Sequence, residues 1–309
     1  MSNPKPILVT GSHRSGTTWV GRMIATSPSV AYINEPFNIN HDPAICKAQF
    51  DYWFTYVCEE NEDRYYRDIK NTIQFRYNLV PLLKSARHPK NAIRQARNYA
   101  RFTWYRMTHA RPLIKDPVAL FSADWLSSRF NTDTLVMIRH PAAFAGSLKE
   151  KNWIHPFSHF TNQPLLMNGH LEPFKEEIMS FTKQEKDIVD HAALLWNLVH
   201  YMILKYKKMY PDWIYIRHED LSRNPLDGFR SVFERLDLDF SRYTAETINK
   251  YSSAEGSMGA QSGIKFQDLK RNSVANIDTW KSRLNRSEIE RLRSQVKEIS
   301  RCFYSDDEW

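Results

Sequence analysis

The chain has 309 residues, of which 42% are hydrophobic and 25% are charged, and its formal net charge is +8. This composition is that of an ordinary globular protein and excludes a fibrous or low-complexity chain. No run approaches the roughly 18–20 apolar residues of a membrane-spanning helix. A positive charge suits an anionic cofactor or substrate, an anionic membrane or a nucleic acid, and does not choose among them.

The first residues and the cysteines bear on cellular location. The opening MSNPKPILVT enters a strand-like run directly and has no signal-peptide pattern. Cys46, Cys58 and Cys302 are few, odd in number and without metal-ligand spacing. We therefore expect reduced thiols in a cytoplasmic protein and no metal site.

A strand, a loop and a helix are predicted near the start of the chain. Residues 6–10 form a short apolar, β-branched run that predicts a buried strand. A turn bracketed by Gly11 and Gly16 follows, and Thr17 and Thr18 suit the start of a helix. Loop amides and a helix N-terminus that point at the same place form a cradle for an anion.

The glycine spacing of this loop matches that of a nucleoside-triphosphate P-loop, but the residue after the second glycine does not. That P-loop requires a lysine followed by Ser or Thr, so that the lysine reaches the β- and γ-phosphates and the hydroxyl holds Mg²⁺. Thr17 occupies the lysine position here, and the cation, Arg14, lies inside the loop. The loop therefore suits a phosphate held without a metal and is poorly suited to γ-phosphoryl transfer.

After the first helix, Val30–Ile33 is a second strand or an extended segment, and residues 38–110 are predicted to form a helical insertion. Residues 84–111 are rich in cations, several of them spaced three, four or seven apart and therefore near one helical face. The cations of this segment are Lys84, Arg87, Lys90, Arg94, Arg97, Arg101, Arg106 and Arg111, and the four near one helical face are Arg87, Arg94, Arg97 and Arg101.

The remaining chain alternates strands with helices. Strands are predicted at residues 111–115, 134–138 and 213–217, and helices at 120–129, 142–150, 186–209 and 226–236, with an irregular insertion at 151–184. This alternation predicts one α/β domain over residues 1–309, in which helices cover both faces of a parallel sheet. Arg14, Lys115 and Arg139 all lie at or just past predicted strand ends, where such sheets bind ligands.

The segment RSGTTW, from Arg14 to Trp19, resembles the 5′-phosphosulfate loop of sulfotransferases that use 3′-phosphoadenosine 5′-phosphosulfate (PAPS). Arg139 at a strand end and Ser147 eight residues later resemble the 3′-phosphate motif of the same family. The resemblance implies a P-loop-like three-layer fold and metal-independent transfer of a sulfuryl group to a hydroxyl. It also implies that Ser15, Gly16, Thr17 and Thr18 hold the 5′-phosphate.

The resemblance also implies the catalytic groups. Lys115 is followed by Asp116 and Pro117, as in tyrosylprotein and related sulfotransferases, so the His base of the cytosolic small-molecule branch is absent. Glu35, in an Asn-Glu-Pro-Phe segment, matches the Glu-Pro carboxylate that implies a general base in the Golgi carbohydrate and tyrosylprotein branches. His13 is the alternative base, although a solvent-facing loop position is the other interpretation of it.

The resemblance covers residues 5–37, 111–150 and 213–281. Arg271 and Ser273 loosely match a late basic loop that covers the 3′-phosphate in the family. Residues 217–221 resemble a Tyr-Glu-Asp-Leu segment, with His218 in place of Tyr, and are interpreted as packing at a strand end. PAPS is thus the expected cofactor, with 3′-phosphoadenosine 5′-phosphate (PAP) as its product.

Two other functions remain open on sequence alone. One is a divergent P-loop kinase or NTPase, which Thr17 disfavours. The other is a non-enzymatic binder of nucleic acid or anionic membrane through residues 84–111, where Tyr99, Phe102, Trp104 and Tyr105 lie among the cations. No nucleic-acid module is recognisable, so we expect no nucleic acid as partner. The basic face is better assigned to an acidic glycan or peptide acceptor, or to a membrane that presents a lipid-linked one.

Overall fold

A computed structural model describes residues 4–81, 89–252 and 277–309 of the chain. Arg271 and Ser273, assigned above to a late basic loop, lie outside the described residues. The same holds for Lys84 and Arg87 of the basic segment.

A five-stranded sheet, parallel throughout, forms the centre of the molecule. Its strands are β1 (Ile7–Gly11), β2 (Val30–Asn34), β3 (Arg111–Lys115), β4 (Asp133–Ile138) and β5 (Ile214–Arg217). Their spatial order is β2-β3-β1-β4-β5. In β1, Val9 lies opposite Lys115 of β3 and Leu135 of β4. The carboxyl ends of all five strands therefore meet at one edge of the sheet.

Helices cover the sheet and fill the segments between its strands. In chain order they are α1 (Thr17–Ile24), α2 (Tyr66–Ile73), α3 (Pro89–Met107), α4 (Ala123–Phe130), α5 (Pro141–Lys151), α6 (Ser158–Thr161), α7 (Pro164–Gly169), α8 (Lys175–Lys183), α9 (Ile188–Met209), α10 (His218–Arg223), α11 (Pro225–Arg235), α12 (Arg242–Ser252), α13 (Trp280–Arg283) and α14 (Arg286–Ser300). Short 3₁₀ helices occupy Glu62–Arg64, Pro117–Ser122, Glu172–Phe174 and Asp306–Glu308.

Two hydrophobic clusters lie on opposite faces of the sheet. Successive side chains of a strand point to opposite faces, so Leu8 belongs to one cluster while Ile7 and Val9 belong to the other. The first cluster includes residues of α5, α9 and α14, and the second includes residues of α1, α11 and α12. This helix–sheet–helix arrangement confirms the predicted three-layer α/β fold.

Most strand and helix predictions are confirmed to within two residues. The helix predicted over residues 120–129 begins earlier, as a 3₁₀ turn at Pro117–Ser122, because Asp116 caps it by accepting a hydrogen bond from the Val118 amide. Arg111 does not belong to a basic helical face. It opens β3, where its guanidinium bonds the carbonyls of Lys5 and Leu236 and the carboxylate of Asp133.

Among the residues that the structure describes, no helix is both long enough and apolar enough to cross a membrane.

Candidate active site

The loop between β1 and α1 adopts a conformation that requires its glycines. Gly11 and Gly16 have φ angles of 140° and 92°, and Arg14 between them has a φ of 63°. A β-carbon on Gly16 would lie 2.5 Å from Nδ1 of His218, so the loop packs directly on this imidazole. The Ser15 hydroxyl donates to the Ser12 carbonyl at 2.5 Å, which closes the turn.

The loop leads into the N-terminus of α1, as the sequence predicts. Gly16 precedes the first helical residue, Thr17, and no side chain caps the helix. The first amides of a helix lack partners within it and carry a partial positive charge, so they attract an anion. Ser15 and Thr17 are buried, and the Thr18 side chain is exposed.

Arg14 and Ser147 are in direct contact. Nε of Arg14 donates to Oγ of Ser147 at 2.9 Å and so connects the loop to α5. Arg139 lies at the end of β4, immediately before that helix, and is 9% exposed. Burial lowers the pKa of Arg139, Glu219 opposes this, and the positive charge of Arg14 adds to the lowering. The guanidinium groups of Arg14 and Arg139 therefore lie close enough to affect each other electrostatically.

Glu219, at the start of α10, completes this part of the site. Its Oε1 lies 3.5 Å from Nε of Arg139 and accepts from the His140 amide at 3.1 Å. Its Oε2 accepts from the Tyr304 hydroxyl at 2.9 Å. The interpretation of residues 217–221 as strand-end packing overlooked this contact. The adjacency of β4 and β5, both ending at the same edge, was the signal that could have found it.

A second pair of charged groups lies at the ends of β2 and β3. Nζ of Lys115 contacts Oε1 of Glu35, and the Lys115 side chain is only 2% exposed. Nδ2 of Asn38 donates to the other Glu35 oxygen at 2.8 Å. The Glu35 amide donates to the Lys115 carbonyl at 2.8 Å, and Glu35 has a φ of 44°. Backbone and side chain together fix the carboxylate beside the lysine.

Asp116 supports this pair from within the core. Its carboxylate accepts from the amides of Phe37 at 2.6 Å and Val118 at 3.1 Å, which ties the segment after β2 to the segment after β3. Burial, with the negative charge of Glu35 acting in the same direction, raises the pKa of Asp116 to about 7. The sequence analysis gave Asp116 no role of its own.

His13 is buried, so the expectation of a solvent-facing loop residue is wrong. Its ring lies 4.7 Å from that of Trp153 and 5.2 Å from that of Phe144, between ring centroids. Burial lowers the pKa of His13 to about 3, and Arg14 contributes to this. His13 also lines a small cavity with Phe54 and His155. The imidazole is neutral and enclosed by aromatic rings.

A separate cleft lies at the other end of the sheet. It has a volume of about 900 Å³ and is lined by Pro6 and Pro112, beside the amino ends of β1 and β3. Parallel sheets bind their ligands at the carboxyl ends of the strands, so this cleft is separate from the candidate site. Within residues 4–81, 89–252 and 277–309, no group of three or more His, Cys, Asp or Glu side chains could hold a metal ion.

The fold is that of a P-loop-like α/β protein, and comparison with known proteins gives the family. The model of the sulfotransferase family matches residues 6–242, so the chain belongs to the sulfotransferase family. No curated protein gives a significant match.

Two solved structures share the fold. The sulfotransferase domain from the curacin biosynthetic pathway is 15% identical, with a TM-score of 0.52 over 96% of this chain and 99% of that one. The sulfotransferase domain from the olefin synthase of Synechococcus PCC 7002 is 16% identical, with a TM-score of 0.52 over 99% and 97% of the two chains.

Proposed function

We propose that this protein is a PAPS-dependent sulfotransferase. The observation that carries the proposal is the Arg14–Ser147 hydrogen bond. It joins the candidate 5′-phosphosulfate loop to the candidate 3′-phosphate helix, while Arg139 lies at the start of that helix. The hydrogen bond brings two separate motifs of the sequence together, which supports a site for a ligand with phosphates at both positions.

The cofactor-binding roles follow from the donors that each element offers. The amides of residues 15–18 and the hydroxyls of Thr17 and Thr18 would hold the 5′-phosphate at the helix N-terminus. Arg139 and Ser147 would hold the 3′-phosphate, because a guanidinium offers paired donors to an anion of this shape. Glu219 and Tyr304 would keep Arg139 oriented. Arg271 and Ser273 stay proposals from the resemblance alone.

Arg14 and Lys115 would act on charge that develops during transfer, and Glu35 on the acceptor proton. Bound PAPS supplies the sulfuryl group, whose S–O bond to the phosphate breaks as a bond from sulfur to the acceptor oxygen forms. Fixed cations stabilise developing negative charge without reorganising at the moment of reaction. Glu35 would accept the proton of the acceptor hydroxyl, and Lys115, which contacts Glu35, would stabilise charge that develops on the oxygens of the sulfuryl group and on the departing oxygen.

The acceptor is proposed to be a hydroxyl-bearing glycan, lipid-linked molecule or peptide. Glu35 and the Lys115-Asp116-Pro117 segment support an enzyme closer to the carbohydrate and tyrosylprotein branch than to the small-phenol branch. Arg94, Arg97 and Arg101 are exposed on α3 and would favour an acidic acceptor or an acidic surface that presents one.

Transfer of sulfur-35 from labelled PAPS tests the proposal. The protein is incubated with labelled PAPS and separate glycan, lipid and peptide fractions, in chelator and in Mg²⁺. We expect label in at least one hydroxyl-bearing fraction, at equal rates in both buffers. Failure to consume PAPS with any fraction, or consumption only with Mg²⁺, would contradict it.

A further inference from the structure

Helix α3 presents an apolar stripe to solvent that no described residue covers. Ile93, Trp104 and Met107 are 62%, 63% and 71% exposed, and Ala96 and Ala100 between them are exposed as well. Successive members of this stripe are three or four residues apart, so they lie along one side of the helix. Burying such large side chains in an apolar environment is favourable.

The opposite side of α3 packs on the rest of the protein. Gln95 and Phe102 are buried there, and the ring of Phe102 lies 5.7 Å from that of Phe75 between centroids. The Tyr77 hydroxyl donates to Oε1 of Gln95. The exposed stripe is therefore a second face of the helix and not a misplaced core face.

A row of arginines runs beside the stripe. Arg94, Arg97 and Arg101 are exposed and spaced three and four apart, and α3 contains no acidic residue. Within the described part of the chain none of the three forms an ion pair with a carboxylate; Arg101 bonds the side chain of Asn98 at 3.1 Å. Their charge is thus available to an external anionic surface.

We infer that this face of α3, formed by Ile93, Ala96, Ala100, Trp104 and Met107 with Arg94, Arg97 and Arg101, docks on an anionic lipid surface. A helix that lies in a membrane interface has an apolar stripe flanked by cations, with Trp at the level of the headgroups. Anionic lipid headgroups neutralise the arginines, and the apolar side chains are buried at the boundary between headgroups and acyl chains. The inference does not depend on the proposed sulfotransferase activity.

Other occupants fit this face less well. A symmetric contact between two copies places the same patch on both sides, so the three arginines of each copy would face like charges. A nucleic-acid backbone would neutralise the arginines but would leave the apolar stripe exposed to water.

Leu79 and Val80, shortly after Tyr77, are also exposed and add to the apolar surface.

Co-sedimentation of the whole protein with vesicles tests the inference. We expect binding to phosphatidylcholine vesicles that contain phosphatidylserine and little binding to phosphatidylcholine alone. The Arg94→Gln/Arg97→Gln/Arg101→Gln variant is expected to lose roughly a hundredfold in affinity, from about one kcal/mol for each cation near the membrane. Trp104→Ser is expected to lose roughly tenfold, which is about 1.4 kcal/mol.

Matched variants separate this face from a general charge effect. Arg242→Gln/Arg286→Gln/Arg301→Gln removes the same charge from exposed positions on other helices and at the end of α14. Tyr243→Ser removes a similarly exposed aromatic side chain from α12. Both controls should bind as the wild type does. Equal losses in the controls, no preference for phosphatidylserine, or a dimer that Trp104→Ser abolishes would overturn the inference.

Discussion

The carboxylate of Glu35 is fixed before any acceptor binds. Two donors, Lys115 and Asn38, hold its oxygens, and its amide is bonded to the end of β3. A group that is already oriented loses little freedom when the reaction occurs, which is the physical basis of preorganised catalysis. This geometry makes Glu35 the strongest candidate for the base.

Glu35→Gln should therefore impair turnover selectively. Loss of a general base lowers kcat by about 10²–10⁴, whereas the amide keeps the size of the side chain and can still accept from Lys115. We expect the affinity for PAP to stay near that of the wild type, whereas the melting temperature should fall, because the buried Lys115 loses its counter-charge. Glu60→Gln, at an exposed position, is the matched control. A variant that keeps wild-type kcat would show that the base lies elsewhere.

Arg139 and Glu219 form a buried ion pair in which each side chain neutralises the charge of the other. Removing one partner of such a pair leaves a buried charge and costs about 3–5 kcal/mol, whereas replacing both is often nearly neutral. Glu219→Gln should thus lower the free energy of unfolding strongly, and Glu219→Gln/Arg139→Met should recover most of it.

Urea unfolding of both single variants and the double variant measures the coupling between them. Tyr304→Phe, which removes only the hydroxyl bonded to Glu219, should cost less than Glu219→Gln. Strictly additive losses would mean that Arg139 and Glu219 do not interact.

At the scale of the element, the β1–α1 loop shows how much of a site a short motif can predict. Its strand, glycine turn and helix start follow from local patterns, and all three lie where the sequence predicts them. The segment after β2 is different. It is held by distant partners, such as Asp116 for the Phe37 amide and Ser122 for the Val57 amide. No local periodicity reports contacts of this kind.

Gly16→Ala tests the loop as a unit. The backbone there is left-handed, which costs an L-residue about 1–2 kcal/mol, and the new methyl would meet His218. We expect the loop to shift and the affinity for PAP to fall. The melting temperature should change only slightly. Gly16→Ala/His218→Ala should recover part of the affinity, since it removes the steric contact but not the backbone strain. Wild-type affinity in Gly16→Ala would contradict this geometry.

At the scale of the molecule, the parallel topology explains which site residues could be predicted. Arg14, Lys115 and Arg139 follow strand ends, and a parallel sheet brings such ends to one edge. The adjacency of β4 and β5 could have placed Glu219 near Arg139, but its hydrogen bond with Tyr304 depends on the far end of the chain and has no signal in the sequence. The burial of His13 likewise depends on Trp153 from another segment.

The same packing makes the stability of the protein sensitive to acid. Six buried histidines have pKa values lowered mainly by burial: His13, His140 and His200 to about 3, His155 and His218 well below the usual value, and His191 below it. Below pH 6.5 the unfolded chain binds these protons and the folded one does not, so stability falls as pH falls toward the folded-state values. Asp116, with its raised pKa, has the opposite effect, because its contribution falls as pH rises from about 4 to 7.

The pKa values of Asp124 and Glu177 are raised by burial as well. The six histidines outnumber these three carboxyls, so the free energy of unfolding should decrease on acidification from about pH 7 to pH 5. Urea titrations across that range measure the slope. His200→Phe should reduce the slope of the free energy of unfolding against pH by the contribution of one histidine. The exposed control His109→Gln should leave this slope unchanged. A slope that is flat or reversed in the wild type would contradict the burial of these rings as neutral groups.

We propose that the whole chain forms one domain. Leu292, Val296 and Phe303, near its far end, share a hydrophobic cluster with Leu8 of β1. Tyr304 and Arg139 both contact Glu219, so the last residues support the candidate cofactor site. The stretches at about 38–110 and 151–184 would then be insertions within this domain. The second was expected to be irregular, but α6, α7, α8 and a 3₁₀ helix occupy most of it.

Calorimetric titration with PAP and with Mg²⁺-ATP, on the wild type and on Arg139→Ala, tests the central claim most directly. The bisphosphate site predicts micromolar binding of PAP without a metal, and a loss of at least about tenfold in Arg139→Ala, since bonds to charged groups contribute about 1.5–3 kcal/mol. Arg223→Ala, at an exposed position, should bind as the wild type does. Preference for Mg²⁺-ATP, or PAP binding that is insensitive to Arg139, would contradict a PAPS-dependent sulfotransferase and favour a kinase or NTPase.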